Sequence, residues 1–145
     1  MELSNKTDYA ILSLIALVAC YSTGESLQIR EIAARQNIPN RYLEELLATL
    51  RRGGLIKSIR GVKGGYVLAR EPQKITLLDA FHCMEGLDAD VPNKNSTLTS
   101  VETEVIQEVW QEARQAAYSV LQKYTLHDLY EQRAKQRQME NMYYI

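Results

Sequence analysis

The chain is poor in cysteine. Its 145 residues include two, Cys20 and Cys83, and neither belongs to a C-x-x-C pair. That excludes a disulfide framework and a thiolate zinc site, and it fits a reducing cytoplasm. There is no nucleophile–base set, no phosphate-binding glycine loop and no quartet of metal ligands, so nothing reads as an enzyme. Internal repeats and low-complexity tracts are absent too. Residues 10–20 (AILSLIALVAC) form an apolar run that is too short to span a bilayer as a mature helix. Its LVAC ending matches the pattern at which bacterial lipoproteins are cleaved. Against that, Glu2 and Asp8 stand beside Lys6 alone, where a signal peptide needs a net positive flank. We therefore expect neither lipid anchor nor membrane segment.

The most informative absence is of acid. From residue 46 to residue 70 there is no Asp or Glu, while Arg51, Arg52, Lys57, Arg60, Lys63 and Arg70 all fall there. The whole chain has 17 basic and 18 acidic residues; without those six, 11 basic residues face 18 acidic ones, a net charge of −7. Positive charge is thus concentrated on one stretch, the footprint of a surface that meets a polyanion. Most charge runs are merely solvated faces, but the glycines inside this one (RGVKGGY) argue for a basic wing.

What is present is a helical chain with one hairpin. Residues 6–22 read as a helix buried on several sides, and residues 27–37 (LQIREIAARQN) as a second, with Ile29, Ile32 and Ala33 on one face. Ile38 and Pro39 turn the chain into a third helix over 40–52, where Tyr42, Leu43, Leu46, Leu47 and Leu50 recur at three- and four-residue spacing. Gly53 and Gly54 end it. Residues 55–59 and 66–69 alternate as strands around a glycine-rich tip. Thr76 and Asp79 cap a short helix over 75–85; residues 87–97 are polar and loop-like. A stripe of Leu98, Val101, Val105, Val109, Ala113, Ala116, Val120 and Tyr124 marks a helix of about 40 Å, longer than so small a domain covers by itself. Thr125 and Asp128 cap a last helix, strongly polar after Glu131, and the apolar end MYYI is expected to dock.

Helix, helix, turn, helix and basic hairpin spell a winged helix-turn-helix: a mainly α fold with a small β-hairpin wing, plus a long dimerisation helix. The expected organisation is a DNA-binding domain over 1–85 with its wing at 55–70, a loop over 86–97, and a dimerisation helix with a C-terminal segment over 98–145. In such a fold the third helix enters the major groove and the hairpin follows the backbone or the minor groove.

Four segments carry a family resemblance: LSNKTDYAI, IPNRYLEELLATLRRGGLIKSIRGVKGGYVLAR, ITLLDAF and MYYI. Over nearly its whole length the chain resembles the Rrf2-type bacterial transcription regulators. The resemblance implies a homodimer whose long helices cross, setting two winged helices on the halves of a palindromic operator in double-stranded DNA. We read the chain as a cytoplasmic repressor, the sense of regulation being set by where the operator lies relative to a promoter. The resemblance also implies that Asn40, Arg41, Tyr42 and Glu44 of the third helix and Arg60 of the wing read DNA, with Lys57 and Lys63 nearby. Arg60 suits a narrow minor groove and Glu44 the amino group of cytosine. Arg51, Arg52, Lys57 and Lys63 suit phosphates, which give affinity and register.

Many members of that family hold an iron–sulfur cluster on three cysteines in the loop before the long helix. Here that loop, GLDADVPNKNST, has Asp88 and Asp90 but no thiolate, and soft ligands are what such clusters need. The chain therefore looks closer to the cluster-free, CymR-like branch, which takes its signal from a partner protein. The expectation is no cofactor. The alternative is a 2Fe–2S cluster on non-standard ligands, for which Asp8, His82, Cys83 and His127 are the candidates. His82 and Cys83, adjacent on a helix, would point about 100° apart and chelate one ion poorly. A rival of another class is a winged-helix protein-interaction module whose basic wing meets an acidic partner.

Overall fold

The computed structural model describes residues 5–86 and 100–143, with the side chain of Tyr143 left aside. The expected loop over 87–97, the stripe residue Leu98 and Tyr144 and Ile145 lie outside the described residues; Met142, which begins the MYYI end expected to dock, is exposed on the single chain.

The first helix, α1 (Asn5–Tyr21), buries eight of its 17 residues, on more than one side. Its two buried polar side chains are satisfied: Ser13 Oγ donates to the Tyr9 carbonyl at 2.8 Å, and Thr7 Oγ1 donates to Glu85 Oε1 at 2.6 Å, as burial of a hydroxyl demands. Around α1 pack α2 (Ile29–Gln36), α3 (Asn40–Arg52) and α4 (Leu77–Glu85). Leu14, Ile32, Leu43, Leu47 and Ile75 at their junction are fully enclosed.

The second helix starts two residues later than the apolar pattern suggests. Leu27 is extended, exchanging backbone hydrogen bonds with Tyr66 (N to O 3.1 Å, O to N 2.8 Å), and helix begins after Gln28, whose N–H donates to Glu31 Oε1 at 3.2 Å. Asn37 in the left-handed region (φ 55°) closes α2, a conformation that asparagine tolerates. The third helix has the expected bounds, with Pro39 as its N-cap. Its two terminating glycines serve different ends. Gly54 takes φ 78°. Gly53 is in ordinary helical backbone, but a Cβ there would stand 2.3 Å from Cys83 Sγ.

The wing is an antiparallel pair, β1 (Ile56–Ile59) and β2 (Gly65–Leu68), in the register Ile56↔Leu68 through Ile59↔Gly65. A 3-10 turn (Pro72–Lys74) leads to α4, whose cap is reciprocal: Asp79 N–H donates to Thr76 Oγ1 at 3.1 Å and Thr76 N–H to Asp79 Oδ2 at 3.0 Å. Helix α5 (Val101–Lys123) follows from Ser100, which caps it. It turns through Tyr124 and Thr125 into α6 (Leu126–Tyr143), capped by the expected Thr125–Asp128 pair at 3.2 and 3.0 Å. Asp128 is fully exposed, and the Thr125 backbone N–H followed by its hydroxyl hold the carboxyl below its ordinary value. Helix α6 continues through the polar stretch after Glu131, since Gln, Arg, Lys, Met and Glu favour helix without burial.

The start of α6 is bolted to the first unit. Leu126 N–H donates to the Ile75 carbonyl and Leu77 N–H to that of Tyr124, both at 2.9 Å, and the Leu126 side chain is fully enclosed. Helix α5, by contrast, has no buried residue. Its half-covered positions, among them Ala117, Tyr118 and Leu121, lean toward α4, and the Tyr118 ring packs on Phe81 and His82 at 6.0 and 5.6 Å. The Val101–Val105–Val109–Val120 stripe is open. No described helix is long and apolar enough to cross a membrane.

Candidate nucleic-acid interface

Leu43, Leu46, Leu47 and Leu50 face inward on α3, so the 3.6-residue period turns Asn40, Arg41, Tyr42 and Glu44 outward. All four are exposed. Arg41 folds over its neighbour: its Cζ stands 4.8 Å from the Tyr42 ring centre and Nη2 donates to the Tyr42 hydroxyl at 3.1 Å. The Tyr42 ring also meets Tyr9 of α1, ring centres 6.5 Å apart. The two contacts position the Tyr42 ring near the start of the helix.

Arg51, Arg52, Lys57, Arg60 and Lys63 are exposed as well. Among the described residues no acid forms an ion pair with any of them or with Arg41, so this cationic surface is uncompensated and available to an outside anion. The nine residues do not form one cluster. Asn40 and Glu44 line a hollow of about 450 Å³ together with Gln28, Ile29 and Arg30 from the start of α2 and Gly65 and Tyr66 of the wing. Lys63 lines another, between the wing tip and the α1–α2 connection, where Ser26 Oγ donates to its carbonyl at 2.8 Å. Arg51 and Arg52 stand at the far end of α3, about 16 Å from Asn40 along the axis at 1.5 Å per residue.

Two groups in this surface escaped the sequence reading. Gln28 and Arg30 join Asn40 and Glu44 because the Leu27–Tyr66 bridge draws the start of α2 onto the wing. Asn5, Lys6 and Tyr9 share a hollow of about 390 Å³ with Tyr42, Glu45 and Met84, because α1 and α3 pack side by side. Each depends on tertiary contact, and the one sequence signal was Arg30 standing outward at the head of the second helix.

The residues considered as metal ligands are dispersed. Asp8 is exposed on the first turn of α1, and His127 faces Glu131 at 3.5 Å. His82 lies in the aromatic group with Phe81 and Tyr118. Cys83 Sγ points the other way, to the Thr49 carbonyl at 3.5 Å near the end of α3. Half-burial pushes the Cys83 thiol up, and the charge of Arg52 offsets part of that. Cys20 is buried in the core. Among the described residues, no three His, Cys, Asp or Glu side chains gather to hold an ion.

Residues 3–132 match the family model described as Rrf2, iron-dependent transcriptional regulator. The helix-turn-helix regulator CymR of Bacillus subtilis is 36% identical over 129 residues, covering 89% of each chain. Its solved structure, that of the global cysteine regulator, aligns with a TM-score of 0.74 at 34% identity over 90% of this chain and 97% of its own. The IscR structure from T. potens aligns with a TM-score of 0.73 at 30% identity over 91% and 88% of the two chains. Family model, sequence and backbone fold agree over most of the chain: the chain belongs to the Rrf2 family and is a DNA-binding, winged helix-turn-helix transcription regulator.

Proposed function

We propose that this regulator works as a cytoplasmic homodimer that represses transcription from a palindromic operator. The observation that carries the dimer is α5: a 23-residue helix with no buried residue, exposing Val105, Ile106, Val109, Trp110 and Val120 to solvent. Exposed apolar area of that extent marks an interface, and a two-fold dimer presents two recognition helices to two half-sites. The two free thiols fit a reducing compartment.

In the DNA complex Asn40, Arg41, Tyr42 and Glu44 face base edges in the major groove, and Arg60 enters the adjacent minor groove. Glu44 can only accept and so favours cytosine N4. Arg51, Arg52, Lys57 and Lys63 hold phosphates, in keeping with the lack of an ion-paired acid at any of them among the described residues. Gln28 and Arg30 add to the major-groove side through the hollow they share with Glu44.

A 2Fe–2S cluster does not fit the described donor set. Cluster ligation is dominated by thiolates; one of the two here is enclosed in α1 and the other is half-buried against the end of α3, and among the described residues no group of three His, Cys, Asp or Glu side chains forms around either. We therefore propose a member without a standard cluster, whose signal comes from a docked protein or small effector. Iron and acid-labile sulfide per protomer, measured on protein purified without oxygen, test this: stoichiometric iron would overturn it.

The test of the DNA reading is binding to a palindromic duplex selected from a randomised library, at several salt concentrations. Arg60→Ala should weaken the selected duplex by about 1–3 kcal/mol and spare random DNA, whereas Lys63→Ala should weaken both alike and flatten the salt slope. Equal losses on both DNAs for both variants would contradict the assignment of roles. Binding to no duplex at all would favour the protein-interaction module instead.

A further inference from the structure

The wing tip breaks a local rule. Its turn is closed by Gly64 N–H donating to the Gly61 carbonyl at 2.9 Å, which puts Val62 and Lys63 at the two central positions. Such positions are ordinarily filled by Gly, Asn, Asp or Ser. Val62 is instead 99% exposed, and Ile59, beside it at the end of β1, is 43% exposed. Ile59 has no cross-strand side chain to shelter it because its partner in the ladder is Gly65, and a Cβ at Gly65 would stand 2.5 Å from the Leu27 carbonyl oxygen. Val62 in particular does little for folding. Val62 buries nothing, and Ile59 points to the face opposite Ile56, which is enclosed. Local rules are broken where function outranks them.

The surroundings specify what could cover these two side chains. Arg60 and Lys63 flank them. On the side toward the α1–α2 connection, Ile59, Val62 and Lys63 share a hollow with Glu25 and Glu31, but among the described residues no acid pairs with either cation, and the tip is tethered from below by the Ser26–Lys63 and Leu27–Tyr66 hydrogen bonds. A narrow, apolar ridge between two cations is complementary to a cleft whose walls are apolar and whose rims are negative. The DNA minor groove is such a cleft: deoxyribose C–H groups line its walls and phosphates its edges, and apolar side chains recur among minor-groove binders.

We propose that Ile59 and Val62 form an apolar tip that seats against the deoxyribose walls of the minor groove, with Arg60 directed to the floor and Lys63 to a phosphate. This rests on the assignment of the wing to DNA, and it adds a component of affinity that salt does not screen. Burial of one or two methyl groups is worth a few-fold in binding.

The experiment uses the full-length protein and the duplex selected by the wild type. Val62→Thr keeps the shape and adds a hydroxyl; Val62→Ala removes two methyls; both leave the fold intact because the site is open. Each should weaken binding about three- to tenfold with the salt slope unchanged, in contrast to Lys63→Ala, and each should lose hydroxyl-radical protection at one or two sugars per half-site while protection beneath α3 persists. Val62 variants that bind and protect as the wild type does, while Arg60→Ala and Lys63→Ala still weaken binding, would overturn the apolar tip and leave the wing on DNA. If the Arg60 and Lys63 variants were also silent, the wing assignment itself would fall.

Discussion

Helices α1 and α5 both carry apolar stripes, and the chain treats them in opposite ways. Eight of the 17 residues of α1 are buried, and none of the 23 residues of α5 is. Around α1 the same chain supplies α2, α3, α4 and the head of α6, so its apolar surface is used up in folding. Around α5, among the described residues, it supplies chiefly α4, along one edge, and the opposite valine stripe is left over. Apolar pattern alone therefore says that a face will be covered, and only packing says whether the cover belongs to the same molecule.

The comparison is broken most severely at α5. Val105→Asp together with Val109→Asp should turn the proposed dimer into monomers in sedimentation, with helix content retained because both sites are open in the single chain; an unchanged dimer would put the interface elsewhere. At α1 the same kind of damage should appear as lost stability instead. Leu14 is wholly enclosed, and Leu14→Ala should cost about 2–5 kcal/mol in denaturant unfolding.

A smaller effect tests how tightly the first unit is closed. Gly53→Ala places a methyl into Cys83 Sγ and should destabilise by about 1–3 kcal/mol. In a Cys83→Ala background most of that loss should vanish, a coupling that a double-mutant cycle reads directly; losses that simply add would mean that the end of α3 yields in some other way. The smallest effect is kinetic. The Cys83 thiol is pushed up by burial and partly brought back by Arg52, so iodoacetamide at pH 8 should alkylate it more slowly than a free cysteine, and more slowly still in Arg52→Ala. The folded pKa being the higher one, the stabilisation linked to the neutral thiol is present at neutral pH and is lost as pH rises through that value.

How far the sequence was legible follows the same divide between local and distant causes. The bounds of α3 could be read because Pro39, the leucine spacing and the glycine pair are all local. The caps of α4 and α6 could be read because Thr76–Asp79 and Thr125–Asp128 act over three residues. The start of α2 was misplaced at Leu27, an apolar residue in helical phase, because its true partner is Tyr66, 39 positions away. The long stripe after residue 100 was visible, but which side of α5 the chain itself covers was not. Among site residues, the wing cations stood out against an acid-free background, while Gln28, Arg30 and Lys6 reach that surface only through the way the helices pack. Val62 was plain in the sequence and became informative only when the hairpin left it uncovered.

The bridge between Leu27 and Tyr66 has one more consequence. It fastens the hairpin to the head of α2, and α2 is packed on α3, so the wing and the third helix, the two parts proposed to face DNA, are joined as a jaw of one gauge. On the proposed complex, that gauge sets the offset between a major-groove contact and the neighbouring minor-groove contact. A duplex whose grooves do not match it must itself twist or narrow to be held. Base pairs that no side chain touches, lying between the two contacts, would then be selected for how cheaply they deform.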